Sequence, residues 1–173
     1  MASNDVKQVF DFLDATHAAL SGHLATLMGL AEQFQNGSLT PPQLEEVRAI
    51  CNFFEKDARQ HHLDEELHIF PPLLQSQDGT LRHTVLQLQQ DHGWLEENWI
   101  ELRPLIEQAT LGNSYIWEEL DHALQVFHAL YQDHMVLEER IAYPGAKAQA
   151  TTWDGEGIGR EMASRRKLRK AAH

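Results

Sequence analysis

The sequence predicts an all-α protein, an up-down-up-down four-helix bundle with a short basic C-terminal tail. Three observations lead there. Four long segments repeat apolar residues at spacings of three and four, short breakers separate them, and each apolar stripe is interrupted by polar residues at one place only. At 173 residues the chain suits one domain with a sizeable core, and we assign residues 1–150 to the bundle and 151–173 to the tail.

The first helix is expected over residues 4–35, with a core stripe of Val6, Phe10, Leu13, His17, Leu20, Leu24, Leu27, Ala31 and Phe34. Asn36-Gly37-Ser38-Leu39-Thr40-Pro41-Pro42 ends it and starts the second, with Thr40 as N-cap and proline at the first helical position. The second helix, 41–74, carries Val47, Cys51, Phe54, Ala58, His61 and Glu65. Gln75 to Gly79 breaks the pattern before a third helix at 79–110, striped by Leu81, Val85, Leu88, His92, Leu95, Trp99, Leu102 and Ile106. Gly112-Asn113-Ser114 precedes the fourth, 114–147, with Trp117, Leu120, Leu124, Phe127, Tyr131, His134 and Glu138. Short links between long helices imply antiparallel neighbours. Phe70-Pro71-Pro72 and Tyr143-Pro144 read as kinks or ends, because proline disfavours helical geometry in its predecessor.

Composition narrows the function. The net charge is −12, and residues 151–173 hold six Lys/Arg against three Asp/Glu, which leaves the first 150 residues at −15. So acidic a body argues against a nucleic-acid groove. No apolar run approaches the ~20 residues of a membrane span. One cysteine, Cys51, rules out an internal disulfide, and Met1-Ala2-Ser3-Asn4-Asp5 lacks the regions of a signal peptide, so the expected location is cytoplasmic. The tail from Trp153, with its run Arg165 to Lys170, is read as disordered or lying on the bundle. The eleven histidines call for an explanation, since histidine is the commonest metal ligand.

Six polar residues fall on core positions: His17, His61, Glu65, His92, His134 and Glu138. Two buried carboxylates among four histidines need a counter-charge, which a pair of metal ions would supply. Chain heights agree. Antiparallel helices rise ~1.5 Å per residue from a shared turn; the midpoint of His17 and His61 is residue 39, that of His92 and His134 is 113, and both lie inside breakers. The centre of His61/Glu65 averaged with His92 lies between 77 and 78, again inside a breaker. Each His-x-x-x-Glu puts both side chains on one helix face, so the imidazole can hold one metal while the carboxylate reaches between the two. The halves also repeat: His61-His62-Leu63-Asp64-Glu65-Glu66-Leu67-His68-Ile69-Phe70-Pro71 aligns without gaps on His134-Met135-Val136-Leu137-Glu138-Glu139-Arg140-Ile141-Ala142-Tyr143-Pro144.

At these residues the chain resembles the hemerythrin-like, HHE cation-binding family, whose signature is a lone helical histidine followed by His-x-x-x-Glu-Glu and an aromatic-Pro end, twice. The resemblance spans about residues 10–145. It implies a non-haem di-iron centre with an oxo or hydroxo bridge: His17 and His61 on one iron, His92 and His134 on the other, Glu65 and Glu138 bridging. Imidazole and carboxylate would equally suit manganese or zinc, so iron comes from the resemblance. Oxygen carriers of the family have a fifth histidine where this chain has Leu88. The residue set is also similar to that of the iron-sulfur-cluster repair di-iron proteins, whose additional N-terminal cysteine region has no counterpart here.

A ferritin-like site is rejected by height: Glu119 lies about 6 residues from its turn and Glu65 about 26 from the first, a gap of ~30 Å. His23, His62, His68, His83, His122 and His128 lie off the stripes and read as surface or supporting residues; Tyr131, on the seam, reads as packing. The expected function is binding or sensing of a small oxidant such as dioxygen, nitric oxide or peroxide, approached past Leu13 and Leu88. Peroxide or nitric oxide turnover, iron delivery and a metal-stabilised interaction module are the alternatives. Oligomeric state is left open.

Overall fold

The computed structural model describes the backbone of residues 4–150 and 154–171 and the side chains of residues 6–150 and 154–165, so Trp153 lies outside the described residues. The protein is all-α; no strand occurs among the described residues. The first segment is α1 (Asn4–Gly29) continued by α2 (Ala31–Asn36). The second runs without a turn through α3 (Pro41–Phe53), a π segment (Phe54–Ala58), α4 (Arg59–Asp64), a second π segment (Glu65–Ile69) and α5 (Phe70–Leu74). The third is α6 (Gly79–Thr110). The fourth joins α7 (Trp117–Leu137), a π segment (Glu138–Ala142) and α8 (Tyr143–Gln149), after which α9 (Gly155–Ala171) follows.

The breakers behave as their residues require. Gly37 and Gly112 take positive φ values of 59° and 68°, where a Cβ would be strained, and so close the ends of α2 and α6. The Asp78 carboxylate accepts from the backbone N–H of Thr80 (2.9 Å) and Leu81 (3.2 Å), satisfying two of the free donors at the start of α6. Thr40 N–H donates to the Gln43 side chain at 2.9 Å. The fourth segment starts at Trp117, three residues later than expected, because Ile116 is extended. The aromatic-Pro pairs do not end their segments. Each proline lies inside a continuous helical segment, directly after a π turn whose hydrogen bonding already departs from the i→i+4 ladder.

The interior consists of two apolar clusters. One contains Leu20, Leu24, Leu27, Phe34, Val47, Ile50, Phe54, Leu95, Trp99, Leu102, Ile106, Leu120, Leu124 and Phe127, and the other Phe10, Leu13, Ile69, Phe70, Leu73, Val85, Leu88, Ala142, Tyr143 and Met162. Along every long segment the boundary between the clusters falls at the polar positions: Leu13 and Leu20 flank His17, Ala58 and Ile69 flank His61 and Glu65, Leu88 and Leu95 flank His92, and Met135 and Ala142 flank Glu138. The candidate ligands thus form a polar layer between two apolar ones.

The basic C-terminal stretch is helical and lies against α1. Met162 is buried in the second cluster. Arg165 Nη2 stands 2.8 Å from the Asp64 carboxylate, itself fully buried, and His68 Nε2 is 2.5 Å from Glu161. None of the described helices is long and apolar enough to cross a membrane.

Candidate metal centre

The structure brings all six expected residues together, each buried: His17, His61, Glu65, His92, His134 and Glu138. They form two groups of four that share both glutamates. Donor atoms of His17, His61, Glu65 and Glu138 lie within 4.8 Å of one another, and so do those of Glu65, His92, His134 and Glu138. The two oxygens of each carboxylate face different groups. Glu138 Oε2 is 3.0 Å from His17 Nε2, whereas Oε1 is 2.9 Å from His134 Nε2 and 3.8 Å from His92 Nε2. Glu65 Oε1 is 3.6 Å from His61 Nε2, and Oε2 is 3.4 Å from His92 Nε2.

Many of these atoms lack hydrogen-bond partners although they are close together. His92 Nε2, His134 Nε2, Glu65 Oε2 and both oxygens of Glu138 are buried without one. Such orphans are rare in a folded interior, because each costs about 1–3 kcal/mol. Two atoms held ~2.1 Å from a common ion at right angles are about 3.0 Å apart, and the Nε2 atoms of His17 and His61 are separated by 3.0 Å. That separation suits a hydrogen bond as well as a shared ion, but the unpartnered Glu65 Oε2, His92 Nε2, His134 Nε2 and Glu138 oxygens crowd together as lone pairs aimed at a cation would, so the donor set fits a metal.

A second ring of side chains orients the first. Glu66 Oε1 accepts from His92 Nδ1 at 3.0 Å, and its Oε2 accepts from Gln89 Nε2 at 2.7 Å. Glu139 Oε1 accepts from His17 Nδ1 at 3.0 Å. These bonds put the proton on Nδ1 and leave Nε2 free to coordinate. The aromatic residues of the repeat do the same work in both halves: Phe70 stacks on His92 (5.5 Å, 21°) and Tyr143 on His17 (5.3 Å, 21°). Thus the Glu-Glu and aromatic of each motif support the lone histidine of one helix pair, and the halves match in three dimensions. The two aromatics differ in one hydroxyl. Tyr143 donates to Glu65 Oε1 at 2.5 Å and lies 3.2 Å from His17 Nε2; Phe70 has no such group.

Burial and charge oppose each other throughout the layer. Burial raises Glu65 to about 7, reinforced by the like charge of Glu138. It also works against the charge on His17 and His134, but Glu138 outweighs it and their pKa values rise to about 8 and about 9. His61 is held well below its ordinary value by burial. Glu138 goes well below the carboxylate range, since the histidines around it overcome the cost of its burial.

Sequence reasoning missed Glu66, Glu139, Phe70 and Tyr143. The duplicated Glu-Glu and the aromatic-Pro ends were the available signal. Tyr131 packs against Phe54 and Phe127, as expected. His62 is not a surface residue: its ring stacks on His92 at 4.1 Å. Approach to the layer also differs from expectation. A cavity of about 620 Å³ reaches His92 and His62 past Phe54, Trp99, Phe127 and Tyr131, while Leu13 and Leu88 are fully buried in the opposite cluster.

A buried layer of imidazoles and carboxylates across four helical segments defines a helical cation-binding protein. The chain belongs to the hemerythrin family: the model of the Hemerythrin HHE cation binding domain matches residues 8–146. It is also similar to an uncharacterized protein of Haemophilus influenzae, 27% identical over 161 residues that cover 92% of this chain and 91% of that one. Family membership and the His/Glu groups together point to cation binding.

Proposed function

We propose that the chain is an up-and-down four-helix bundle that holds two iron ions, joined by an oxo or hydroxo bridge, and that it binds or senses a small oxidant in the cytoplasm. Dioxygen, nitric oxide and peroxide are the candidate ligands. His17 and His61 would hold one ion, His92 and His134 the other, and Glu65 and Glu138 both. The observation that carries this reading is the division of each glutamate, one oxygen toward each histidine pair. A single ion between His17 and His61 would leave His92 Nε2, His134 Nε2 and Glu65 Oε2 unexplained, and one between His92 and His134 would leave Glu138 Oε2, which faces His17, unexplained.

Iron would supply redox chemistry and a Lewis-acidic position for a ligand. The chain's own residues would do the rest. Glu66 and Glu139 fix the tautomer and direction of the lone histidines, and Tyr143 holds one oxygen of Glu65. The cavity lined by Phe54, Trp99, Phe127 and Tyr131, with Lys56 and Arg59 also on its wall, would admit a small neutral molecule or a small anion.

Metal analysis and an optical spectrum of aerobically purified protein test this. Two irons per chain with oxo-bridged charge-transfer bands are expected. A single ion per chain, or redox-silent zinc that iron does not displace, would overturn the di-iron reading. Steady-state consumption of peroxide would move the assignment from sensing to catalysis.

A further inference from the structure

The repeat that builds the polar layer is also broken immediately after its leading histidines. His62 follows His61, whereas Met135 follows His134. Met135 is a buried apolar residue whose sulfur accepts from Ser21 Oγ at 3.9 Å. His62 instead lines the 620 Å³ cavity together with His92 and Tyr131. Its ring lies nearly parallel on His92 (4.1 Å, 13°) and steeply inclined to His134 (5.6 Å, 72°). A ring nitrogen of His62 comes within 4.8 Å of ring nitrogens of both. Its Nε2 is buried and has no hydrogen-bond partner.

Two roles are open to such an imidazole, ligand or neighbour, and the stacking decides between them. Ring nitrogens direct their lone pairs and N–H bonds within the ring plane. Rings only 13° from parallel therefore direct theirs side by side rather than toward one point, so His62 stands beside the His92/His134 group, on the wall of the cavity. A buried polar atom without a partner carries a standing cost, which an incoming hydrogen-bonding atom would relieve.

We propose that His62 is the residue that receives an exogenous ligand on the His92/His134 side, hydrogen-bonding the outer atom of a small molecule that arrives through the aromatic cavity. The inference rests on the metal-centre reading and deepens it. Cavities reach both halves of the layer, about 620 Å³ at His92 and about 420 Å³ at His17, and the halves are unequal in that His62 lines the first whereas Met135, its counterpart, does not line the second. The ligand class is a small linear or bent molecule whose outer atom carries a lone pair or partial negative charge. Carbon monoxide, a poor acceptor, would gain little from His62; azide would gain more.

The test uses the full-length, iron-loaded chain with azide as probe, followed by optical titration, with iron content measured on each sample. His62→Leu is expected to keep the same iron content and to weaken azide about tenfold, and His62→Gln, whose amide can still donate, to recover part of that loss. Met135→Leu, at the equivalent position of the other half, should leave azide affinity unchanged. Azide affinity within twofold of the parent in His62→Leu, at unchanged iron content, would overturn this inference alone. Loss of one iron per chain in both His62 variants would overturn it too, by making His62 a ligand. A parent chain that takes up no metal pair would sink the metal-centre reading and this inference with it.

Discussion

Removing the carboxylates behind the lone histidines separates a metal-binding layer from a merely buried polar one. Glu66 accepts two hydrogen bonds, at 3.0 Å from His92 and 2.7 Å from Gln89, and is 31% exposed. Glu139 accepts one, at 3.0 Å from His17, and is 55% exposed. Groups that orient a liganding histidine contribute roughly 10–100-fold in metal affinity, or about 1.4–2.8 kcal/mol. The drier, doubly held Glu66 belongs at the upper end and the solvated Glu139 at the lower. Glu66→Ala is therefore expected to weaken one of the two ions by about 100-fold and Glu139→Ala the other by about 10-fold. Glu→Gln at either position should be milder, because an amide oxygen still accepts from Nδ1. Chelator competition followed by metal analysis reads the stepwise loss. Native affinity for both ions in Glu66→Ala, or a larger effect at Glu139, would refute the orienting role.

Two further outcomes follow from the same geometry. In metal-free protein, His17 and His134 have pKa values raised to about 8 and about 9 from 6.5. Raised values give stability that is complete below pH 6.5 and lost as pH climbs through 8 and 9, roughly 2–4 kcal/mol in total because both histidines depend on Glu138. Urea denaturation across pH 6–9.5 should show that decline, while metal affinity rises over the same interval as protons cease to compete; a flat profile would contradict the charge distribution described. Arg165→Ala strands the fully buried Asp64, leaving it the Gln60 amide at 3.1 Å among its partners, and should cost about 3 kcal/mol by denaturant midpoint. An unchanged midpoint would mean that α9 does not brace the helical body through this pair.

The helical class and the polar layer were legible because both depend on arithmetic the sequence carries openly. Apolar spacing placed Leu20, Leu95 and Phe127 inside, and equal distances from the turns brought His17, His61, His92 and His134 to one height. What escaped were features that depend on reach between helices or on departures from an ideal helix. Glu66 and Glu139 look solvent-facing on their own helices, yet each extends to a histidine on another. His62 was rotated off the core by assuming uniform 3.6-residue turns, but it sits in α4, a short stretch with a π segment on either side. The basic tail was read as disordered or lying on the bundle, and Met162 with the Arg165–Asp64 pair seats it there.

Glu65 and Glu138 each open a π segment, and five residues further on in each copy comes the aromatic ring that lies on a lone histidine. On an ordinary α-helix, residues five apart point about 140° away from each other, and the wider i→i+5 turn closes much of that angle. Each segment therefore works like a gear advanced by one tooth. Deleting one residue between 66 and 69, or between 139 and 142, would leave the upstream His-Glu pair aimed as before while Phe70 or Tyr143 and everything after it swung aside. Tolerance of insertion and deletion is accordingly lopsided along both rods: loose at the outer links, and absent over the few residues where the chain carries its extra step.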